Sequence, residues 1–209
     1  NNATKLRIEG YASGQLEGHV MLHGPNGTGK TSVAKLLAQA IGGEDASLET
    51  KSYDELLGMS DLRSYLLQAG ALSNLTTSGK HFLLLNEFDN AKKGIDKFWT
   101  ALDECDGQVM VIITTNEPMQ IHKSVRSRCD VIEMPGITAK AALPRVQHAL
   151  RAEGLMLPDA QVLHYLKAKE HWLDWRKFMR EADTLLYMHR NNFTMSAWSG
   201  SQPMLKIIQ

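Results

Sequence analysis

Hydrophobic positions along the 209-residue chain fall into short unbroken runs separated by stretches with helical spacing. Val20-Met21-Leu22-His23, His81-Phe82-Leu83-Leu84-Leu85, Val109-Met110-Val111-Ile112-Ile113 and Val131-Ile132-Glu133-Met134 are too short for helices, and each is apolar at all but at most one position. That pattern predicts strands covered on both faces. Between the first two, Val33, Leu36, Leu37, Ala40 and Ile41 share one helical face, which predicts a helix over Ser32 to Ile41 ended by Gly42-Gly43. Leu48 to Ser52 reads as a further short strand. Leu62, Tyr65, Leu66 and Ala69 line a helix starting at Ser60, and Ile95, Phe98, Trp99 and Leu102 line another. Ser73 to Lys80 is polar and turn-rich, hence a loop. Strands alternating with helices predict an α/β fold built on a parallel sheet with right-handed crossovers.

The two ends of the chain read differently. Residues 1–19 have weak periodicity and form a lead-in, with Leu6-Arg7-Ile8 their main apolar run. Pro135-Gly136 marks a change, after which the pattern is helical from about Thr138 to Arg190. Pro144 and Pro158 are expected in first turns of helices and Gly154 as a terminator. Residues 191–209 lack periodicity and read as a loose tail. No internal repeat is present.

Composition narrows this picture only slightly. Lys plus Arg and Asp plus Glu both number 23, so any polyanion contact must come from a local patch. Cys105 and Cys129 lack metal-type spacing and suggest packed thiols in a reducing compartment. No run of about 18 apolar residues predicts a membrane span, and no signal-peptide pattern opens the chain. The expected location is the cytoplasm. The missing initial Met leads to the expectation of a trimmed start.

The chemistry enters right after the first strand. Gly24-Pro25-Asn26-Gly27-Thr28-Gly29-Lys30-Thr31 matches G-x-x-x-x-G-K-[ST] in full, and Ser32 continues it into the helix. The glycines let backbone N–H groups and a helix N-terminus face an anionic phosphate. Lys30 is then placed to reach the β- and γ-phosphates, and the Thr31 hydroxyl to take one Mg²⁺ position. An ordinary glycine-rich turn would need neither the Lys-Thr pair nor the flanking strand and helix. The chain is therefore expected to bind a nucleoside triphosphate, ATP.

Further candidates sit at the ends of later strands, where ligands lie in an open parallel sheet. Leu83-Leu84-Leu85-Asn86-Glu87-Phe88-Asp89 has the form of a Walker B element, in which an Asp supports Mg²⁺ and a Glu orients the attacking water. Here the Glu is Glu87, and the metal-supporting place is held by Asn86. Thr114-Thr115-Asn116 offers polar groups to the γ-phosphate or the water, though the same residues also suit a turn. Ser127-Arg128-Cys129 is either a basic loop or a source of an arginine acting on a neighbouring subunit. An arginine finger contributes about 10³–10⁵ in rate, or roughly 4–7 kcal/mol. Asp174-Trp175-Arg176-Lys177 starts a helix with Asp174 as N-cap. Arg176 in that first turn gains nothing from the helix dipole, so it suits either a ligand or a surface ion pair.

Taken together, GPNGTGKT, LLLNEFDN, TTN, SRC and DWRK resemble the AAA+ ATPases. The SRC triplet and the DWRKFMREAD helix start resemble the clamp-loader branch, meaning replication factor C small subunits and the T-even phage type of small subunit. The resemblance covers roughly residues 15–190. It implies a doubly wound parallel-sheet P-loop ATPase domain over residues 1–136 and a small all-helical lid over 137–190. It also implies subunits arranged in an arc with ATP at each interface. Lys30 and Thr31 would hold phosphate and Mg²⁺, Glu87 would polarise the water, and Asn116 would be sensor 1. Arg128 would act in trans and Arg176 would be sensor 2. The implied partners are other clamp-loader subunits, a sliding clamp and primer–template DNA, in the host cytoplasm if the chain is viral. Lys92, Lys93 and Lys97 stand where the family tracks the duplex, although a lysine cluster also suits a solvated face.

Two departures leave alternatives open. Asn86 keeps an oxygen acceptor but loses the negative charge beside Mg²⁺, so binding is expected to survive while hydrolysis weakens. That admits an ATP-binding subunit with little turnover. Clamp-loader subunits also carry a helical collar domain, whereas the 209 residues end soon after the lid, so either the collar lies outside them or the chain is another kind of AAA+ replication protein. That admits a helicase loader or another DNA-remodelling AAA+ protein.

Overall fold

A computed structural model describes residues 2–88, 95–105 and 107–191. By internal contacts the chain divides into two compact units, Asn1–Gly24 with Gly29–Pro135, and Pro25–Thr28 with Gly136–Gln209.

The first unit is a parallel five-stranded sheet in the order β2-β3-β4-β1-β5. Its strands are β1 (His19–His23), β2 (Ser47–Lys51), β3 (His81–Leu85), β4 (Val109–Thr115) and β5 (Cys129–Glu133). The unbroken apolar runs arise because both faces are covered. Along β1 and β4, Met21, Val111 and Ile113 enter one core, while Val20, Leu22, Met110 and Ile112 enter the other. The first core is closed by α3 (Tyr53–Leu57), α4 (Leu62–Ser73) and α5 (Ile95–Asp103), and the second by α1 (Asn2–Ala12) and α2 (Lys30–Gly42). Adjacent residues pointing to opposite faces of a pleated strand produce this division. A short α6 (Lys123–Arg126) precedes β5.

Several expectations are corrected. The lead-in is largely helix α1, which buries only Gly10 and Tyr11 and so carries no apolar stripe. It is tied to the edge strand β5 instead, with Thr4 Oγ1 donating to the Glu133 carbonyl at 2.8 Å and Arg7 Nη1 to that of Val131 at 2.9 Å. Helix α3 was not expected. Its five residues are too few for periodicity, and it is set by a Ser52–Glu55 capping box. Helix α4 starts at Leu62 rather than Ser60 because Asp61 is the cap, accepting from the Ser64 N–H at 2.9 Å.

The second unit contains α7 (Ala139–Ala152), α8 (Asp159–Lys167) and α9 (Trp175–Arg190). Val146 and Leu150, Val162 and Leu166, and Phe178 and Leu185 form its core. Pro144 lies inside α7, not in its first turn. Pro144 has no N–H to give the Lys140 carbonyl, and both residues are exposed. Pro158 is the N-cap of α8 rather than a first-turn residue. Gly154 follows the C-cap of α7 with φ of +81°, a terminator as expected. Cys105 and Cys129 are free thiols, and burial pushes Cys129 up to about 12. Lys92, Lys93 and the tail from residue 192 onward lie outside the described residues.

Candidate functional site

The strand order makes β3, β4 and β1 neighbours, so the segments leaving their carboxyl ends meet. The loop after β1 turns at Gly24, with φ of +148°. A Cβ there would stand 2.1 Å from the Met134 carbonyl oxygen, so only glycine lets the ends of β1 and β5 approach this closely. Gly29 caps α2 with φ of +87° and, having no side chain, supplies no side-chain cap to the first N–H groups. That leaves a helix N-terminus of the kind that binds anions.

Lys30, the first residue of α2, donates from Nζ to the Gly24 carbonyl and to Asn116 Oδ1, both at 2.8 Å. Thr31 Oγ1 donates to Asn86 Oδ1 at 2.7 Å. Thr114 Oγ1 donates to the same Asn86 oxygen at 2.8 Å and accepts from the Glu87 N–H at 3.2 Å. Ser32 follows in the first turn and is exposed. The first unit thus brings together Gly24, Gly29, Lys30, Thr31, Asn86, Glu87 and Asn116 from three separate strand ends. Glu87 has a left-handed backbone with φ of +55°, which costs a non-glycine residue about 1–3 kcal/mol.

These residues fit a triphosphate. A lysine, an uncapped helix start and a hydroxyl are the donors that phosphate oxygens need. For Mg²⁺ the nearby protein ligands are neutral, the Thr31 hydroxyl and the Asn86 amide oxygen. Among the described residues no group of three or more His, Cys, Asp or Glu could hold an ion by itself. Mg²⁺ commonly completes its shell with phosphate oxygens and water, so this set suits an ion arriving with the nucleotide.

Pro25, Asn26, Gly27 and Thr28 group with the second unit. There Thr28 Oγ1 donates to the Pro25 carbonyl at 3.0 Å, and the Trp175 N–H donates to the Gly27 carbonyl at 3.0 Å. Asp174 caps α9 as expected, accepting from the Arg176 N–H at 2.8 Å. Arg176 Nε lies 3.7 Å from Asp174 Oδ1, with most of its side chain in solvent.

Arg128 is not part of the cluster at the strand ends. It immediately precedes Cys129, which pairs with His19 at the amino end of β1, whereas Gly24 to Thr31 follow its carboxyl end. Five strand residues separate the two levels, roughly 15 Å at the rise of a strand. Its guanidinium sits 5.7 Å from the centre of the Trp99 ring, 3.8 Å from Asp103 and 3.3 Å from the Ser124 carbonyl oxygen. His19, whose Nδ1 accepts from the Val111 N–H at 3.1 Å, lies on the same indole, and burial holds its pKa down. Lys97 is exposed on α5.

Sequence reasoning named Thr114 only within Thr114-Thr115-Asn116 and missed its bonds to Asn86 and Glu87, and it missed the Trp99–Asp103 support of Arg128. A hydroxyl residue at the end of an otherwise apolar strand was the available signal for the first. The second joins α5 to the segment before β5, and no local pattern reveals it.

A parallel sheet carrying a phosphate-binding loop between β1 and α2, with polar groups at the ends of β3 and β4, defines a P-loop nucleoside-triphosphatase fold. Residues 20–136, more than half the chain, match the family described as ATPase family associated with various cellular activities (AAA), and the chain belongs to that family. It is 30% identical to a replication factor C large subunit from Haloquadratum walsbyi, over 77% of this chain and 33% of that protein. It is 26% identical to replication factor C small subunit 1 from Pyrobaculum arsenaticum, over 74% of this chain and 48% of that protein. The chain thus spans half or less of the length of these relatives. The RuvB Holliday junction branch migration motor of Thermotoga maritima shares the fold with a TM-score of 0.67 at 19% identity, over 91% of this chain and 63% of that one. Among the described residues no helix is long and apolar enough to cross a membrane.

Proposed function

We propose that the chain is an ATPase subunit of a DNA sliding-clamp loader, acting in the cytoplasm during DNA replication. The observation that carries this is the convergence of Lys30, Thr31, Asn86, Glu87 and Asn116 at three strand ends in a relative of replication factor C subunits. Gly24 to Ser32 bind the triphosphate, with Lys30 leaving Asn116 and the Gly24 carbonyl to neutralise phosphate oxygens. Glu87 orients the attacking water and Asn116 hydrogen-bonds beside it. Thr31 and Asn86 would hold Mg²⁺, which when bound would neutralise charge on the phosphates. Arg128 serves the site of a neighbouring subunit, because its own site lies at the other end of the strands. Residues 137–190 are the helical lid domain that the family resemblance implies, and Arg176 is its sensor 2. ATP binding holds the clamp and primer–template DNA, with Lys92, Lys93 and Lys97 on the duplex backbone, and hydrolysis releases both.

The test is binding of a sliding clamp and primed DNA by the protein assembled with its partner subunits, with and without ATP. Clamp binding that requires ATP is expected. Clamp-independent recruitment of a helicase would overturn the reading in favour of a helicase loader. Asn86 specifically favours a second reading, a subunit that binds ATP but turns it over slowly, which single-turnover hydrolysis in the assembly would distinguish.

A further inference from the structure

We infer that Thr114 is a positioning residue for hydrolysis, which rests on the ATPase reading above. Its hydroxyl has one proton and two lone pairs. The proton goes to Asn86 Oδ1 at 2.8 Å, and a lone pair takes the Glu87 N–H at 3.2 Å. Both bonds end on the segment leaving β3, so one buried group on β4 pins two consecutive residues of that segment. Thr114 is only 2% exposed, so water cannot readily replace it there. Register brings the groups together, because Leu85, the last residue of β3, pairs with Ile113.

Glu87 needs this support because its left-handed backbone is unusual for a residue with a side chain. A hydrogen bond to its own N–H holds the peptide in the orientation that aims the carboxylate. Asn86 Oδ1 also accepts from Thr31 at 2.7 Å. A continuous line therefore runs from the phosphate loop through Asn86 and Thr114 to the Glu87 backbone. Threonine suits the position better than serine, because β-branching restricts χ1 and fixes where the hydroxyl points. Phosphate binding does not pass through Thr114, since Lys30 and the start of α2 carry it.

The experiment compares wild type, Thr114→Val and Thr114→Ser in the assembled complex, measuring steady-state ATPase and, separately, affinity for a fluorescent ATP analogue. Thr114→Val keeps the shape but loses both bonds. It is expected to lower kcat by about 10-fold or more, as removal of an orienting partner does, with analogue affinity unchanged. Thr114→Ser is expected to restore most of the turnover. Wild-type turnover in Thr114→Val, a serine variant as impaired as the valine one, or parallel loss of affinity and kcat would each overturn the inference. Absence of turnover from both wild type and Asn86→Asp would instead strike the ATPase reading, and this inference with it.

Discussion

Asn86 shows how one atom sets the character of the site. Its single amide oxygen accepts from both Thr31 and Thr114, whereas a carboxylate would offer two oxygens and a full negative charge at the same place. Placing that charge there by Asn86→Asp is expected to raise ATP turnover by about 10-fold or more, with Mg²⁺ needed at lower concentration. Steady-state hydrolysis across a Mg²⁺ titration checks this, and turnover equal to or below wild type would count against it. At this scale much was readable beforehand. Lys30, Thr31, Asn86, Glu87 and Asn116 were all named from motif spacing, because a phosphate loop and strand-end carboxylates need particular residue types in a particular order. Thr114 was not singled out, since its two bonds depend on β3 and β4 lying side by side.

At the scale of elements, packing explains which helices were visible. Helix α2 was legible, but its buried face is Ala34, Leu37 and Ala38 rather than the expected stripe, in which Leu37 is buried, Val33 and Ile41 are half-buried, and Leu36 and Ala40 are exposed. Leu37 is 2% exposed, so Leu37→Ala is expected to destabilise the fold by about 2–5 kcal/mol through lost burial and a residual cavity. Urea unfolding followed by far-UV circular dichroism measures it, and a loss well below that range would mean the site collapses around the smaller residue. Helix α1 was invisible. It reaches the core through Ile8, Tyr11 and Ala12 near its end, too few to mark a long stripe, and it also covers the edge of β5 with polar side chains whose hydrogen bonds to strand carbonyls leave no periodic trace. Strand ends were displaced by a residue or two where polar residues such as Cys129-Asp130 continue the ladder beyond the apolar run.

At the scale of the whole molecule, Arg128 is held by Trp99 and Asp103 at the end of the strands away from the phosphate loop. Assemblies carrying Arg128→Ala alone are expected to lose about 10³-fold or more in turnover. Mixing Arg128→Ala subunits with Lys30→Ala subunits should recover part of it, because the second supplies the arginine that the first lacks. A mixture no more active than its components would refute action in trans. The same unit should also respond to acid. Burial lowers the pKa of both His19 and His81 below the ordinary 6.5, so each binds fewer protons folded than unfolded. Stability is then complete above about 6.5 and declines as pH falls from there toward the folded values. Urea midpoints at neutral and mildly acidic pH check this. His81→Asn should flatten the dependence, and a midpoint that does not move in wild type would contradict the sign.

The sequence by itself determined the α/β class, the phosphate loop, the strand-end groups at Asn86, Glu87 and Asn116, and the change of architecture at Pro135-Gly136. Each is encoded by residues close together, through periodicity, glycine geometry or fixed motif spacing. Only the tertiary structure decided that β4 lies between β3 and β1, which joins Thr114 to Asn86 and Glu87 and parks Lys30 on Asn116. It alone separated Arg128 from the cluster and laid it on Trp99. Those relations follow from strand order and from contacts between residues far apart in the chain, which local pattern does not carry.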